Sequence, residues 1–275
     1  MPRRVALCLA LLAQGACGSA SPAPRESRAQ DRSFVQLVET VPSGTNLGHD
    51  DIPDTHLVWR DMIDDARHHI ELSHFYASLA PNPGKGGRLR AIIDAIARAR
   101  ARGVRVRMLL DALFADKYPA VISELRDLVE LRLYDVKASM GGVQHAKYFL
   151  VDGRELYLGS ANFDWRSLEH IHEIGVRIRH RQATAALSDV FEMDWALAGG
   201  QPRPRSTSTA RFPAPLDAPP GHLTPLFSPR GWLPDEQLWD LPALIAAIGA
   251  AKDRVVLQLL SFKTAYRDGR PFPDL

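Results

Sequence analysis

Residues 144–163, QHAKYFLVDGRELYLGSANF, hold the densest set of chemically capable groups in the chain. His145 and Lys147 stand two positions apart, Asp152 follows after four residues, and Gly159, Ser160 and Asn162 follow after six more. On a strand, residues two apart point to the same side about 7 Å from one another, so His145 and Lys147 can both reach one phosphate. A phosphodiester resists attack because its non-bridging oxygens carry a full negative charge. A cationic Lys147 offsets that charge, and a neutral His145 imidazole attacks phosphorus without adding repulsion, giving a phosphohistidine that water or an alcohol resolves in a second step. The Ser160 hydroxyl and the Asn162 amide can donate to phosphate oxygens, and Gly159 lets the backbone approach the substrate. Asp152-Gly153 is a tight-turn signal, so Asp152 organises the hairpin that returns residues 159–162 beside His145.

Blander readings stand beside these. A lone His-x-Lys on a strand is ordinarily a solvated face, but four further residues at fixed spacing outweigh that. Ser160 lacks the G-x-S-x-G elbow of serine nucleophiles. His68, His69, His74, His170 and His172 include no H-E-x-x-H pair, so they are expected on the surface or in support of other groups. Because Lys147 neutralises the phosphate, neither a metal nor a cofactor is expected. Trp165 and Arg166 are expected to pack the hairpin, and the five arginines between Arg98 and Arg107 to form a solvated face.

The pattern resembles the HxK(x)4D(x)6GSxN motif of the phospholipase D superfamily, matched at every fixed position. Over residues 34–275 the segments GSANFDWRS, HEIGV and ELSHFYASL are similar to the branch of lysosomal 5′-exonucleases and poxvirus phospholipase-D-like proteins. The resemblance implies an α/β fold, a phospholipase D-like mixed sheet flanked by helices, in a bilobal arrangement with two motifs facing each other. One histidine attacks and the other protonates the leaving oxygen. It further implies that Glu173 hydrogen-bonds His145, fixing its tautomer and stabilising the imidazolium. The expected catalytic set is His145, Lys147, Asn162 and Glu173; Lys147, Ser160 and Asn162 bind substrate; Asp152 and Gly159 support the motif. The substrate is a phosphodiester, single-stranded nucleic acid or phospholipid. The alternative is a non-catalytic phosphate-binding remnant lacking the second motif.

The elements that must position these residues are legible as an alternation. Strands are predicted at 34–40, 70–76, 104–110, 131–134 and 175–179, with a hairpin across 145–159. Helices are predicted at 55–67, 89–102, 120–129 and 184–198, from apolar residues at helical spacing and stop signals such as Gly103. Such alternation implies a sheet covered by helices on both faces. Further on, Leu244, Ala247, Ile248, Ala251-Lys252, Val255 and Leu257 echo Trp59, Met62, Ile63, Ala66-Arg67, Ile70 and Leu72 at a constant offset of 185. The same offset projects a second motif near position 330, beyond Leu275. The second lobe is therefore expected to be truncated, or the second imidazole to come from another copy in a homodimer.

Composition bounds the rest. With 275 residues, 45% hydrophobic and 24% charged, the chain is globular, and a net charge of +2 is too mild to argue for a nucleic-acid or membrane surface by itself. Arg3 and Arg4, the apolar run 5–13 and the small residues 18–20 read as a signal peptide over 1–20, implying export to a periplasm, envelope or medium. Cys17 is a candidate lipid anchor, and with Cys8 it makes up all the cysteine in the chain. The expected organisation is a linker at 21–33, a first lobe at 34–198, a proline-rich crossing at 199–235 and the start of a second lobe at 236–275.

Overall fold

A computed structural model describes residues 34–82, 85–202, 215–218 and 221–257. The expected signal peptide, with Cys17, and the linker at 21–33 lie outside the described residues, as do 203–214 and 219–220 of the crossing and 258–275 of the second-lobe segment.

Chain order is β1 (Val35–Thr40), α1 (Thr55–Asp64), β2 (His69–His74), β3 (Ala77–Ser78), α2 (Gly87–Ala101), β4 (Arg105–Asp111), α3 (Pro119–Leu128) and β5 (Glu130–Tyr134). It continues with α4 (Val136–Met140), β6 (Lys147–Val151), β7 (Glu155–Gly159), β8 (Phe163–Asp164), α5 (Trp165–Glu169), β9 (Glu173–Ile178) and α6 (Arg181–Ala198). Within the proline-rich crossing at 199–235 lie β10 (Leu216–Ala218) and β11 (Gly221–Leu223), and after it comes α7 (Asp240–Ala250). Local chemistry sets several boundaries. The Asp54 carboxylate caps α1 by accepting His56 N–H at 3.1 Å, Pro119 opens α3, and Gly103 takes the left-handed turn (φ 87°) that ends α2. α6 starts three residues earlier than its apolar period predicts, because the His180 ring accepts the Ala183 N–H.

Seven strands form one sheet in the order β1-β9-β7-β6-β2-β4-β5. β2, β4 and β5 run parallel, as βαβ units joined by helices; β6, β7, β9 and β1 pair antiparallel. The sheet is thus mixed, and alternation along each strand sends one set of side chains to each face. On one face Ile70, Leu72, Phe149 and Tyr157 meet Trp59, Met62 and Ile63 of α1 and Ile92 and Ile96 of α2. On the other, Leu109, Leu150, Leu156 and Ile178 meet Leu187, Phe191 and Trp195 of α6.

α7 begins 185 residues after α1, where the repeat places it. Its environment differs. Trp59, Met62 and Ile63 of α1 are fully buried, whereas α7 has no buried residue and Leu244 is 54% exposed. The strand expected from Val255 is not formed over the described residues 255–257.

Met62→Ala is expected to lower unfolding free energy by about 2–5 kcal/mol, the range for a cavity in a closed core. Leu244→Ala should change it by less than about 0.5 kcal/mol, since it leaves no cavity. Urea denaturation of the two variants checks the contrast.

Candidate active site

The strand directions bring the motif together at one edge of the sheet. Because β6 runs antiparallel to β2, Lys147 at its start pairs with His74 at the end of β2. β7 returns antiparallel to β6 and ends at Gly159, which pairs with Gly175 of β9. Glu173 opens β9 opposite Thr40 of β1. Strand parity puts Lys147, Gly159 and Glu173 on the face that carries α1.

His145 lies just ahead of β6 rather than within it, so the strand alternation expected to align it with Lys147 does not apply. The residue is solvent-accessible, but its ring is partly covered by Phe75, edge-on with centroids 4.7 Å apart. Partial burial, followed by the Lys147 charge, pushes its pKa below the ordinary histidine value, which favours the neutral nucleophilic form. Lys147 is buried, donates to the His145 carbonyl at 2.7 Å, and holds Nζ 5.4 Å from the centroid of the Phe75 ring. Burial lowers its pKa to about 8, against the partial opposition of the Glu173 carboxylate. An ammonium held this way gains strongly from an arriving anion.

Glu173 departs from its expected role. Among the described residues its carboxylate makes no hydrogen bond to His145; it accepts the Ser160 hydroxyl at 2.5 Å. The reason is register: Ser160 continues β7 alongside Ile174, exchanging N–H to Ile174 carbonyl (2.9 Å) and Ile174 N–H to Ser160 Oγ (3.1 Å). The Ser160 proton is therefore committed to Glu173, and its hydroxyl braces the strand end rather than presenting a free donor. Asn162 is held differently. Its N–H donates to Ser167 Oγ (3.3 Å) and its backbone carbonyl accepts Asp164 N–H (2.7 Å), while its side-chain Oδ1 is buried with no partner among the described residues. Gly159 serves packing more than substrate approach: a Cβ there would lie 2.5 Å from the Tyr157 hydroxyl and 2.8 Å from Gly175 Cα.

Asp152 sits at the far end of the hairpin. It and Gly153 adopt positive φ (53° and 59°), and Arg154 N–H closes the turn on the Val151 carbonyl at 3.0 Å. Its carboxylate accepts backbone N–H from Arg67 (2.8 Å), His68 (2.8 Å) and His69 (2.9 Å), clamping the hairpin to the start of β2. His74, the cross-strand partner of Lys147, is boxed by the rings of Trp59 and Phe163; burial and then the Lys147 charge hold its pKa near 3, so it stays neutral. Arg166 ion-pairs with Asp164 at 2.5 Å, two residues before it at the start of α5. Sequence reading missed Phe75 and the Gln144, Asp111 and Asp194 set beside His145. The aromatic pair after β2 and an acid at the end of β4 were the available signals.

Residues 59–195 match the Cardiolipin synthase, PLD-like domain family. The chain belongs to the phospholipase D superfamily. It is 33% identical over 170 residues to the virion nicking-joining enzyme of Vaccinia virus (strain Western Reserve), covering 61% of this chain and 39% of that one. It is 28% identical over 214 residues to 5′-3′ exonuclease PLD3 of Xenopus laevis (74% and 42%), and 32% identical over 178 residues to Phospholipase D Y of Dictyostelium discoideum (60% and 39%). The solved phospholipase D family member Nuc from Salmonella typhimurium aligns with a TM-score of 0.45 at 22% identity, over 58% of this chain and 93% of its own. The alignments thus span about two fifths of the length of these three curated relatives.

Within this phospholipase D-like domain the Asp152 clamp has a measurable consequence. Burial alone would raise the carboxyl pKa, but the three backbone N–H bonds and Arg154 outweigh it and hold it below the ordinary carboxylate value. The clamp's stabilisation is then present at neutral pH and lost as pH falls through that depressed value. Asp152→Ala should cost about 1–2 kcal/mol at pH 7, and the difference from wild type should shrink toward pH 3; chemical denaturation at both pH values tests this.

Proposed function

We propose that the chain is a phosphodiesterase in which His145 attacks phosphorus and forms a phosphohistidine, with single-stranded nucleic acid as substrate. The observation that carries this reading is the placing of a partly covered, cation-flanked His145 beside the buried Lys147 ammonium at the edge where β6, β7 and β9 meet. The Lys147 ammonium and the side-chain NH2 of Asn162 donate to the non-bridging oxygens. Glu173 supports the ammonium charge of Lys147 and braces Ser160. Protonation of the leaving oxygen is assigned to a second imidazole, from a second copy of the chain or a second motif. The nucleic-acid choice is supported by similarity to the virion nicking-joining enzyme and to 5′-3′ exonuclease PLD3; Phospholipase D Y is the relative whose name supports the phospholipid alternative. The reading of residues 1–20 as a signal peptide supports export of this activity to a periplasm, envelope or medium.

A fluorescent single-stranded oligonucleotide assayed beside phosphatidylcholine tests the substrate: cleavage of the first is expected, and turnover of the second alone would replace it. His145→Ala should reduce kcat by about a thousandfold or more. If instead no diester is cleaved, and Lys147→Ala weakens phosphate binding while His145→Ala does not, the site is a binding-only remnant. Activity should survive excess EDTA, because charge neutralisation is assigned to Lys147.

The pH profile follows from the two shifted groups. Neutral His145 accumulates as pH rises through its lowered value, and Lys147 loses its charge above about 8. The profile of kcat/KM should thus be bell-shaped, with its basic limb near pH 8 in the free protein. In Lys147→Arg, whatever its overall rate, that limb should move to higher pH, since a guanidinium remains charged.

A further inference from the structure

Gln144 immediately precedes His145, and carboxylates from two other elements hold it. Its backbone N–H donates to Asp111 Oδ2 at 2.6 Å, while Asp111 Oδ1 accepts Leu113 N–H at 2.8 Å, fastening this aspartate to the end of β4. Its side-chain amide donates to Asp194 Oδ2 at 2.8 Å and lies 3.4 Å from Ser73 Oγ. Asp194 belongs to α6, on the face of the sheet opposite α1, and is buried.

The surroundings of Asp194 make its retention informative. Gln144 reaches it from the segment before β6 and Tyr148 faces it from β6, while Ser73 of β2 lies against both Gln144 and Tyr148. Glu71 of β2 acts on the same Tyr148 phenol, which burial and then the Asp194 charge push well above its ordinary value. The nearby guanidinium on this face, Arg107 of β4, is engaged by Glu71 at 2.6 Å and by Glu192 of α6. Asp194 has no ion pair among the described residues, and burial, only partly offset by the Gln144 hydrogen bond, raises its pKa to about 7. A buried carboxylate without a cation costs free energy that an apolar residue at the same place would not. The hydrogen bond obtained in return goes to the residue beside the nucleophile.

We infer that Asp194 is a positioning residue: through the Gln144 side chain, and together with Asp111 on the Gln144 backbone, it fixes the segment that presents His145 to phosphorus. The inference rests on the reading of His145 as nucleophile. Asp194 itself touches neither substrate nor reacting atoms. A nucleophile displaced by about 1 Å loses about a hundredfold in rate, so the bond acts on kcat and not on substrate affinity.

The test uses the full chain. Asp194→Ala and Gln144→Ala should each lower kcat by about 10- to 100-fold with KM within about twofold, and the double variant should be no worse than either single, because both remove one interaction. Asp194→Asn keeps an acceptor oxygen and should recover most of the kcat lost in Asp194→Ala. Two readouts do not need turnover. Hydrogen exchange of the 141–146 segment should be faster in Asp194→Ala. The raised folded pKa means that the Asp194 contribution to stability is fully present below the ordinary carboxylate value and is lost as pH rises from there through about 7. Asn does not ionise, so the Tm of Asp194→Asn should gain on wild type between pH 5 and 8. Wild-type kcat and unchanged exchange in Asp194→Ala would overturn the inference, as would a raised KM at unchanged kcat or additive losses in the double variant. Should Asp194→Ala fail to fold, Gln144→Ala and Asp194→Asn carry the same comparison. A wild-type protein that cleaves no diester sinks the phosphodiesterase reading, while exchange and melting still decide whether Asp194 holds the segment.

Discussion

An ammonium group taken out of water at the end of a β-strand is the constraint around which this domain is organised. Lys147 is buried, bonded to a neutral carbonyl and faced by an aromatic ring, and the carboxylate that acts on it, Glu173, has its hydrogen bond with Ser160. Such a cation is held short of full compensation, and an anion entering the site supplies what is missing. Holding a charge in that condition requires a stiff frame, because a flexible side chain would otherwise turn outward to solvent. The frame is β6, with a strand paired on each side of it and α1 and α6 packed on its two faces.

The mixed sheet follows from the same requirement. Parallel strands β2, β4 and β5 supply a hydrophobic platform, and the antiparallel insertion of β6, β7 and β9 turns the motif back on itself so that residues 145–147, 159–162 and 173 share one edge. Asp152 secures the opposite end by tying the hairpin to the start of β2. Two acids, Asp111 and Asp194, secure the near end through Gln144. The segment that carries His145 is thus restrained along its length, while His145 itself stays accessible.

Much of this was legible in residue order. The strand and helix periods located β1, α1, β2, α2, β4, α3, β5, β9 and α6 to within a few residues, because long amphipathic segments carry their packing in their spacing. The 185-residue repeat located α7 as well. The short elements β3, β8, α4 and α5 were not legible, since two to five residues hold too little pattern to outweigh their neighbours.

At the site, sequence alone determined which residues make up the motif and that Asp152 would turn the hairpin, because residue type and turn signals are local properties. Tertiary structure decided who faces whom. It placed His145 ahead of the strand against Phe75, committed the Ser160 hydroxyl to Glu173, made Gly159 the space for the Tyr157 hydroxyl, and brought Asp194 from α6 to Gln144, the residue before His145. Each of those pairings joins segments whose distance along the chain carries no information about their distance in space, and each depends on register and on competition for hydrogen-bond partners, which exist only once the sheet has formed.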